Sequence, residues 1–466
     1  MRFLILAAAV LALSLLGMAQ QTRSSSSTGG SKLFTYPYTI DDLPNGLRLV
    51  TVPTDYPNLV SLYVVVAAGS RNEVEVGKSG FAHFFEHMMF RGSENYTPEQ
   101  REEIFKRAGA DNNAYTSDDR TVYHATFSKE DLEEIMKVEA DRFQRLKYTP
   151  EQFKTESKAV KGEYDKNSAS PFSKIHEVLR ETAFNKHTYS HTTMGYLKDI
   201  DDMPNQYEYS KQFFQRFYRP EYATVVIVGD ITQARALDLT KKYWGTWQRG
   251  NYKADIPDEP AQKESRTAHI PWDAPTLPHM AIAFHAPKYS DSSKEVAALD
   301  LFQQVAFGEN SDLYQQLILK EQKVDQLEAD FEHKADPELF TVYVRIKDPA
   351  QVGYVRDQIL KTFERYKTEL IDPAKLDATR ARARYSFALG MDSNDNIAGA
   401  LAPYIALERT PETLNRLFDT YQTVTASDIR DAVKKYFREE SRTVVTLATK
   451  GQNIAALGRK SEEGQN

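Results

Sequence analysis

The sequence predicts an α+β protein built from two similar halves, and three observations carry that reading. Short Val- and Leu-rich runs alternate with longer segments of helical periodicity. Phe217-Tyr218-Arg219 followed by Thr224-Val225-Val226 recurs as Tyr436-Phe437-Arg438 followed by Thr443-Val444-Val445, at an offset of 219 residues in both pieces. Between the copies lies a polar, Pro-containing stretch, Arg249 to Pro260, that reads as a boundary. Each half is expected to be an antiparallel sheet with helices packed on it.

The chain opens on a targeting segment. Arg2 is the charged start, Phe3 to Leu16 the apolar run, and Gly17-Met18-Ala19 the small residues of a cleavage site. The run is too short for a membrane span, and no later stretch is long and apolar enough for one. With residues 1–19 read as a signal peptide, the mature protein is expected to be periplasmic or secreted. Residues 20–33 form a Ser- and Gly-rich linker.

The first domain is expected over 34–250. Leu47 to Val52 and Leu59 to Ala67 read as strands, with Asn45-Gly46 as a turn before them. Val74 to Lys78 is a polar connection to a short helix from Gly80. Thr97-Pro98 opens a second helix, to Ala108. Strands Ala110 to Tyr115 and Thr121 to Phe127 flank a polar turn, and Lys129 to Leu146 is an amphipathic helix. Thr149 and Gln152 form a capping box, with Pro150 at the first position of the next helix. Pro171 to Phe184 continues as helix. His187 to Gly195 is a loop, where two His four apart do not align. Gln206 to Phe217, the buried strand Ala223 to Val228 and the helix Gln233 to Trp244 close the domain. A linker, 251–262, leads to a second domain over 263–453, with a strand at Met280 to Phe284. Residues 454–466 are a polar tail.

Composition excludes several classes. The net charge of −7 is spread along the chain, with no basic block and no phosphate-cradling Gly loop, so nucleic acid is not an expected partner. There are no cysteines, hence no disulfides and no Cys-linked lipid anchor.

The chemistry starts at His83-Phe-Phe-Glu86-His87. Two imidazoles four apart on a helix leave one face about a turn apart, so both can reach one zinc ion. Glu86 lies on the same side and suits a general base for water activated at the metal. Two core histidines and a stray glutamate would give the same letters. A catalytic zinc needs a third protein ligand. On the helix after Pro150, Glu156 and Glu163 fall beside the apolar stripe of Phe153, Val160 and Tyr164, away from Lys154, Lys158 and Lys161. Inward carboxylates without an obvious basic partner call for a cation. Two solvated glutamates remain the alternative.

His83-x-x-Glu86-His87, followed by Glu163, resembles the inverzincins, the pitrilysin–insulinase family of zinc peptidases. Asn113-Ala114-Tyr-Thr116-Ser-Asp-Asp119-Arg-Thr121-Val-Tyr123 is similar to a second family run, and the likeness spans about residues 34 to 450. The resemblance implies a clamshell of two homologous domains around a chamber, with one zinc per chain on His83, His87 and Glu163. It implies that Glu86 is the base and that Glu156 supports the metal side. Asn113 and Ala114 would pair with an extended peptide substrate.

Active relatives often carry an Arg and, seven residues on, a Tyr after a Leu-Tyr-x-x-Leu segment. Here Leu313-Tyr314-Gln-Gln-Leu317 is followed by Ile318 and Asp325 at those places, and neither donates as Arg or Tyr would. The chain thus resembles the zinc-bearing subunit of a split pair, its donors supplied by a family-related partner. The expected function is a zinc endopeptidase acting on peptides or unfolded segments. A non-catalytic scaffold or a peptide-binding subunit of the same fold is the rival reading.

Overall fold

The computed structural model of the protein describes residues 32–452 and 454. The predicted signal peptide, most of the linker behind it and nearly all of the polar tail lie outside those residues.

Among the described residues, eleven strands form two sheets. The first contains β1 (Thr39–Asp42), β2 (Arg48–Pro53), β3 (Leu59–Val66), β4 (Asp111–Thr116), β5 (Thr121–Ser128) and β6 (Ala223–Gly229), in the order β1-β2-β6-β3-β5-β4. The second contains β7 (Arg266–Trp272), β8 (His279–His285), β9 (Val324–Phe331), β10 (Leu339–Ile346) and β11 (Arg442–Thr449), in the order β7-β11-β8-β10-β9. Without β1 the two orders correspond term by term. The register repeats as well. Val226 sits between Val50 and Tyr63, and its counterpart Val445 sits between Ala268 and Ala281.

Both sheets are antiparallel except for one pair each. β2 runs parallel to β6, and β7 runs parallel to β11. Each pair joins the start of a half to its end, across a connection long enough for either direction. Hydrophobic periodicity reports which residues are buried but not the direction of a distant partner, and the expected antiparallel sheet of each half holds for every pair but these two.

β3 is buried at every position after Leu59, because both faces of its sheet are covered. Leu62 and Val64 face the helices of the first half, including Phe81, Phe84 and Phe85. Tyr63 and Val65 face the other way, against Ile397, Leu401 and Ile405 of the helix Asn394–Glu408, which belongs to the second half. The second sheet mirrors this. Ala281, Ala283, Val445 and Leu447 pack on Ile175, Leu179 and Ala183 of the helix Pro171–Ala183, which belongs to the first half. The halves have exchanged a helix.

A cavity of about 1010 Å³ lies between the halves of this clamshell, lined on one side by Ser117, Phe172 and His176 and on the other by Tyr314, Ile318 and Asp325. Buried charges tie the halves together beside it. Asp118, at the β4–β5 turn, meets Arg180 at 3.0 Å and Lys334 of the second half at 2.9 Å, and Arg180 meets Glu338 at 3.5 Å. An unpaired charge left here would cost about 3–5 kcal/mol, so these contacts fix the orientation of the halves. No helix among the described residues is long and apolar enough to cross a membrane.

Candidate metal centre

The helix Phe81–Met88 buries Phe81, Phe84, Phe85 and Met88 completely. Its remaining face presents His83, Glu86 and His87. The helix Pro150–Ser168 crosses it, with the Phe84 and Phe153 rings edge-on at 5.0 Å. Thr149 caps that second helix. Its Oγ1 accepts from Gln152 N at 3.2 Å, while the Gln152 side chain accepts from Thr149 N at 2.8 Å. With its start fixed, Glu163 arrives four turns later opposite the two histidines.

Three ligand atoms converge. His83 Nε2 and His87 Nε2 are 3.3 Å apart. Glu163 Oε2 is 3.5 Å from the first and 3.3 Å from the second. A tetrahedral ion with bonds of about 2.0–2.1 Å has ligand edges of about 3.3–3.4 Å. The three edges match that figure, so these residues fit a zinc ion with its fourth position open. Among the described residues, this is the one group of three such side chains that converges. The fit has one loose end, since His83 Nδ1 is buried without a hydrogen-bond partner.

The surroundings give each group a distinct protonation behaviour. Burial, with His87 beside it, pushes the His83 imidazole down to about 3, so it stays neutral with a free lone pair. His87 is held above the ordinary imidazole range by its Nδ1 contact to Glu156 Oε1 at 2.9 Å, against the effect of burial. Burial raises the Glu86 carboxyl, although Thr116 Oγ1 donates to its Oε2 at 2.7 Å. A carboxyl raised toward neutrality suits proton transfer.

Glu156 and Glu163 separate here. Glu156 is 2 % exposed. Burial acts to raise its carboxyl, but His87 and Arg91 together hold it below the usual range. Arg91 Nε donates to Glu156 Oε2, so Glu156 does have a basic partner, contrary to the sequence expectation. Arg91 escaped notice because it stands four residues past His87, just beyond the helix end at Met88. Glu163 is not inward in the same sense, since its side chain is 40 % exposed.

Asn113 and Ala114 lie on β4, the edge strand of the first sheet, in register with His124 and Tyr123 of β5. Ala114 is buried in the core, Asn113 is exposed, and no strand pairs with the outer edge of β4 among the described residues. The same strand ends at Thr116, so the Glu86 partner and the open edge belong to one element. Thr116 was part of the sequence motif, but nothing in the sequence joined it to Glu86.

His187 and His191 do not join the metal group. His187 Nε2 reaches Asp336 of the second half at 3.0 Å, and His191 Nδ1 donates to Thr192 O at 2.9 Å. Ile318 and Asp325 line the cavity between the halves, and Asp325 accepts from Arg345 Nε at 2.8 Å. That cavity does not include the converging ligands in its wall. It approaches them through Ser117 and Asp118, next to Thr116.

Comparison with known proteins agrees with this architecture. Residues 48–196 match the family model described as insulinase (peptidase family M16), and residues 206–383 match the peptidase M16 inactive domain. The chain is 27 % identical over 412 residues to the zinc protease PqqE of Helicobacter pylori, covering 87 % of this chain and 91 % of that protein. It is 24 % identical to the mitochondrial-processing peptidase subunit beta of Saccharomyces cerevisiae, covering 83 % and 86 %. The crystal structure of a protease from Helicobacter pylori superimposes with a TM-score of 0.82 at 27 % identity, over 89 % of this chain and 99 % of that one. With two domains of one architecture, a match to each half and relatives named as zinc proteases, the chain belongs to the M16 (insulinase) peptidase family.

Proposed function

We propose that this chain is a zinc-dependent endopeptidase that hydrolyses peptides or unfolded segments in an enclosed chamber, working with a family-related partner. The observation that supports it most is the triangle of His83 Nε2, His87 Nε2 and Glu163 Oε2, with edges of 3.3–3.5 Å. These three atoms would hold one zinc per chain, which would supply a Lewis acid to polarise the scissile carbonyl and lower the pKa of bound water toward neutrality.

The protein's own groups do the rest. Glu86 takes the proton from the attacking water and delivers it to the leaving amine, with Thr116 fixing its carboxylate. Glu156 holds His87 in the tautomer that carries hydrogen on Nδ1, which leaves Nε2 free to ligate. The open edge of β4 at Asn113 and Ala114 pairs with the extended substrate backbone. Ile318 and Asp325 do not offer the donors that would hold the substrate carbonyl, and a partner bearing Arg and Tyr completes the site. The chain is exported, and residues 1–19 are removed on the way.

Metal analysis of the purified protein with a peptide-turnover assay tests the reading. One zinc per chain, together with turnover that a chelator abolishes, is expected. A protein that binds no zinc, or binds it and cleaves nothing even with its partner, would leave the scaffold reading.

A further inference from the structure

The helix Phe81–Met88 has eight residues, too few to hold its shape by its own hydrogen bonds. Its first N–H groups need acceptors from elsewhere. The usual source is a Ser, Thr, Asp or Asn at the N-cap, but the N-cap here is Gly80, at φ +90°. Glycine takes that conformation readily and other residues do not. Space forbids a side chain as well. A Cβ on Gly80 would stand 2.5 Å from Ile200 Cδ1 and 2.9 Å from Met194 O. The tight packing that seats this helix has removed its own cap.

Glu73 supplies the acceptors from seven residues upstream. Its Oε2 accepts from Gly80 N at 2.7 Å, and its Oε1 accepts from Ala82 N at 2.7 Å. The side chain has no exposure. Alongside, Ser79 N and Oγ donate to Asp199 Oδ2 at 3.3 and 2.6 Å. The nearest cation candidate is His191, whose Nδ1 is 3.8 Å from Glu73 Oε2, and burial lowers the pKa of that ring. A buried carboxylate with no charged partner is costly. Burial pushes the Glu73 carboxyl up to about 8, the Gly80 and Ala82 N–H contacts oppose that rise, and Asp199 and Asp118 add to it, so the helix N-terminus, with its partial positive charge, offsets the cost only in part. Ala82 directly precedes His83, so the turn that Glu73 clamps is the turn that aims the first imidazole.

We propose that Glu73 is a positioning residue: its two carboxylate oxygens fix the first turn of the helix and so hold His83 at the distance that the metal requires. The inference rests on the zinc reading above. It predicts a centre whose geometry is set before the metal arrives.

The test is Glu73→Gln, which keeps the shape but turns an NH2 group toward one of the two backbone donors. Zinc affinity, measured by competition with a chelator, is expected to fall about 10–100-fold, as for other groups that support ligands. The visible absorption of the cobalt-substituted protein should shift, and the melting of the apo protein should stay cooperative. A folded Glu73→Gln protein with wild-type zinc affinity and an unchanged cobalt spectrum overturns the proposal. Should that variant not fold, hydrogen exchange of the wild type decides. Amides of the segment 80–83 protected in the apo protein as strongly as with zinc support it, and exchange at the unstructured rate until zinc is added overturns it. A wild type that binds no zinc sinks the metal reading itself. A zinc-binding wild type beside an indifferent Glu73→Gln variant sinks only the role of Glu73.

Discussion

Glu156 Oε1 lies 2.9 Å from Nδ1 of His87, and that contact should make zinc binding at this centre sensitive to pH. The contact raises the His87 pKa. Zinc needs the neutral ring, so protons compete with it below that raised value. Affinity should be full above it and fall about tenfold per pH unit below it. In Glu156→Gln the ring loses its anionic neighbour, and its pKa drops. The plateau affinity should weaken about 10–100-fold, while the acid limb moves to lower pH. A chelator-competition titration from pH 5 to 8 measures both, and an acid limb that stays in place would contradict the coupling.

Glu163→Ala should lose stoichiometric zinc. Two histidines alone leave the tetrahedron short by one protein ligand. Glu156→Ala should retain measurable zinc, because that carboxylate touches His87 and Arg91 rather than the point where the ligands converge. Elemental analysis of the two variants separates the glutamates, and a zinc-replete Glu163→Ala protein would remove Glu163 from the ligand set.

Glu86→Gln should keep its zinc and lose peptide turnover by about 10²–10⁴-fold, the usual contribution of a general base. The amide can still accept from Thr116, so the fold is undisturbed. A variant within tenfold of wild type would show that the proton leaves by another route.

The isolated chain should be a weak peptidase that a family-related partner rescues. One missing oxyanion donor typically costs about 10²–10³ in turnover, and by the family resemblance Ile318 and Asp325 stand at the places of two. Arg345 is not a free substitute, because Asp325 already engages it. Turnover with and without the partner decides. Full activity alone would point to another donor in the cavity, with Tyr314 the first to substitute.

Much of this site was legible in the sequence because helical spacing is strict. His83, Glu86 and His87 could be placed on one face before any coordinates. Glu156 and Glu163 could not be ranked in the same way, since seven residues return to the same face and periodicity cannot see Arg91 arriving from another segment. Glu73 left no pattern either. A contact between a loop carboxylate and a helix start has no period. The strands were found by their Val-rich runs, but the direction of β2 against β6 depends on a partner 176 residues away. The helix Asn394–Glu408 shows the same limit. Its apolar residues announce burial, and nothing in them says that the sheet they cover belongs to the other half.

That swap bears on how the molecule folds. Cut near residue 250, the first half would expose Val50, Tyr63, Val65 and Val226 to water and carry Ile175 and Leu179 on a helix with nothing to rest on. Neither fragment has a finished interior. The two domains should therefore melt in a single cooperative step, and Leu401→Ala, a change in the half without the metal motif, should destabilise the metal-bearing half by about 2–5 kcal/mol. The half without the metal motif would thus complete the interior of the half that carries it, acting as an internal chaperone built into the same polypeptide.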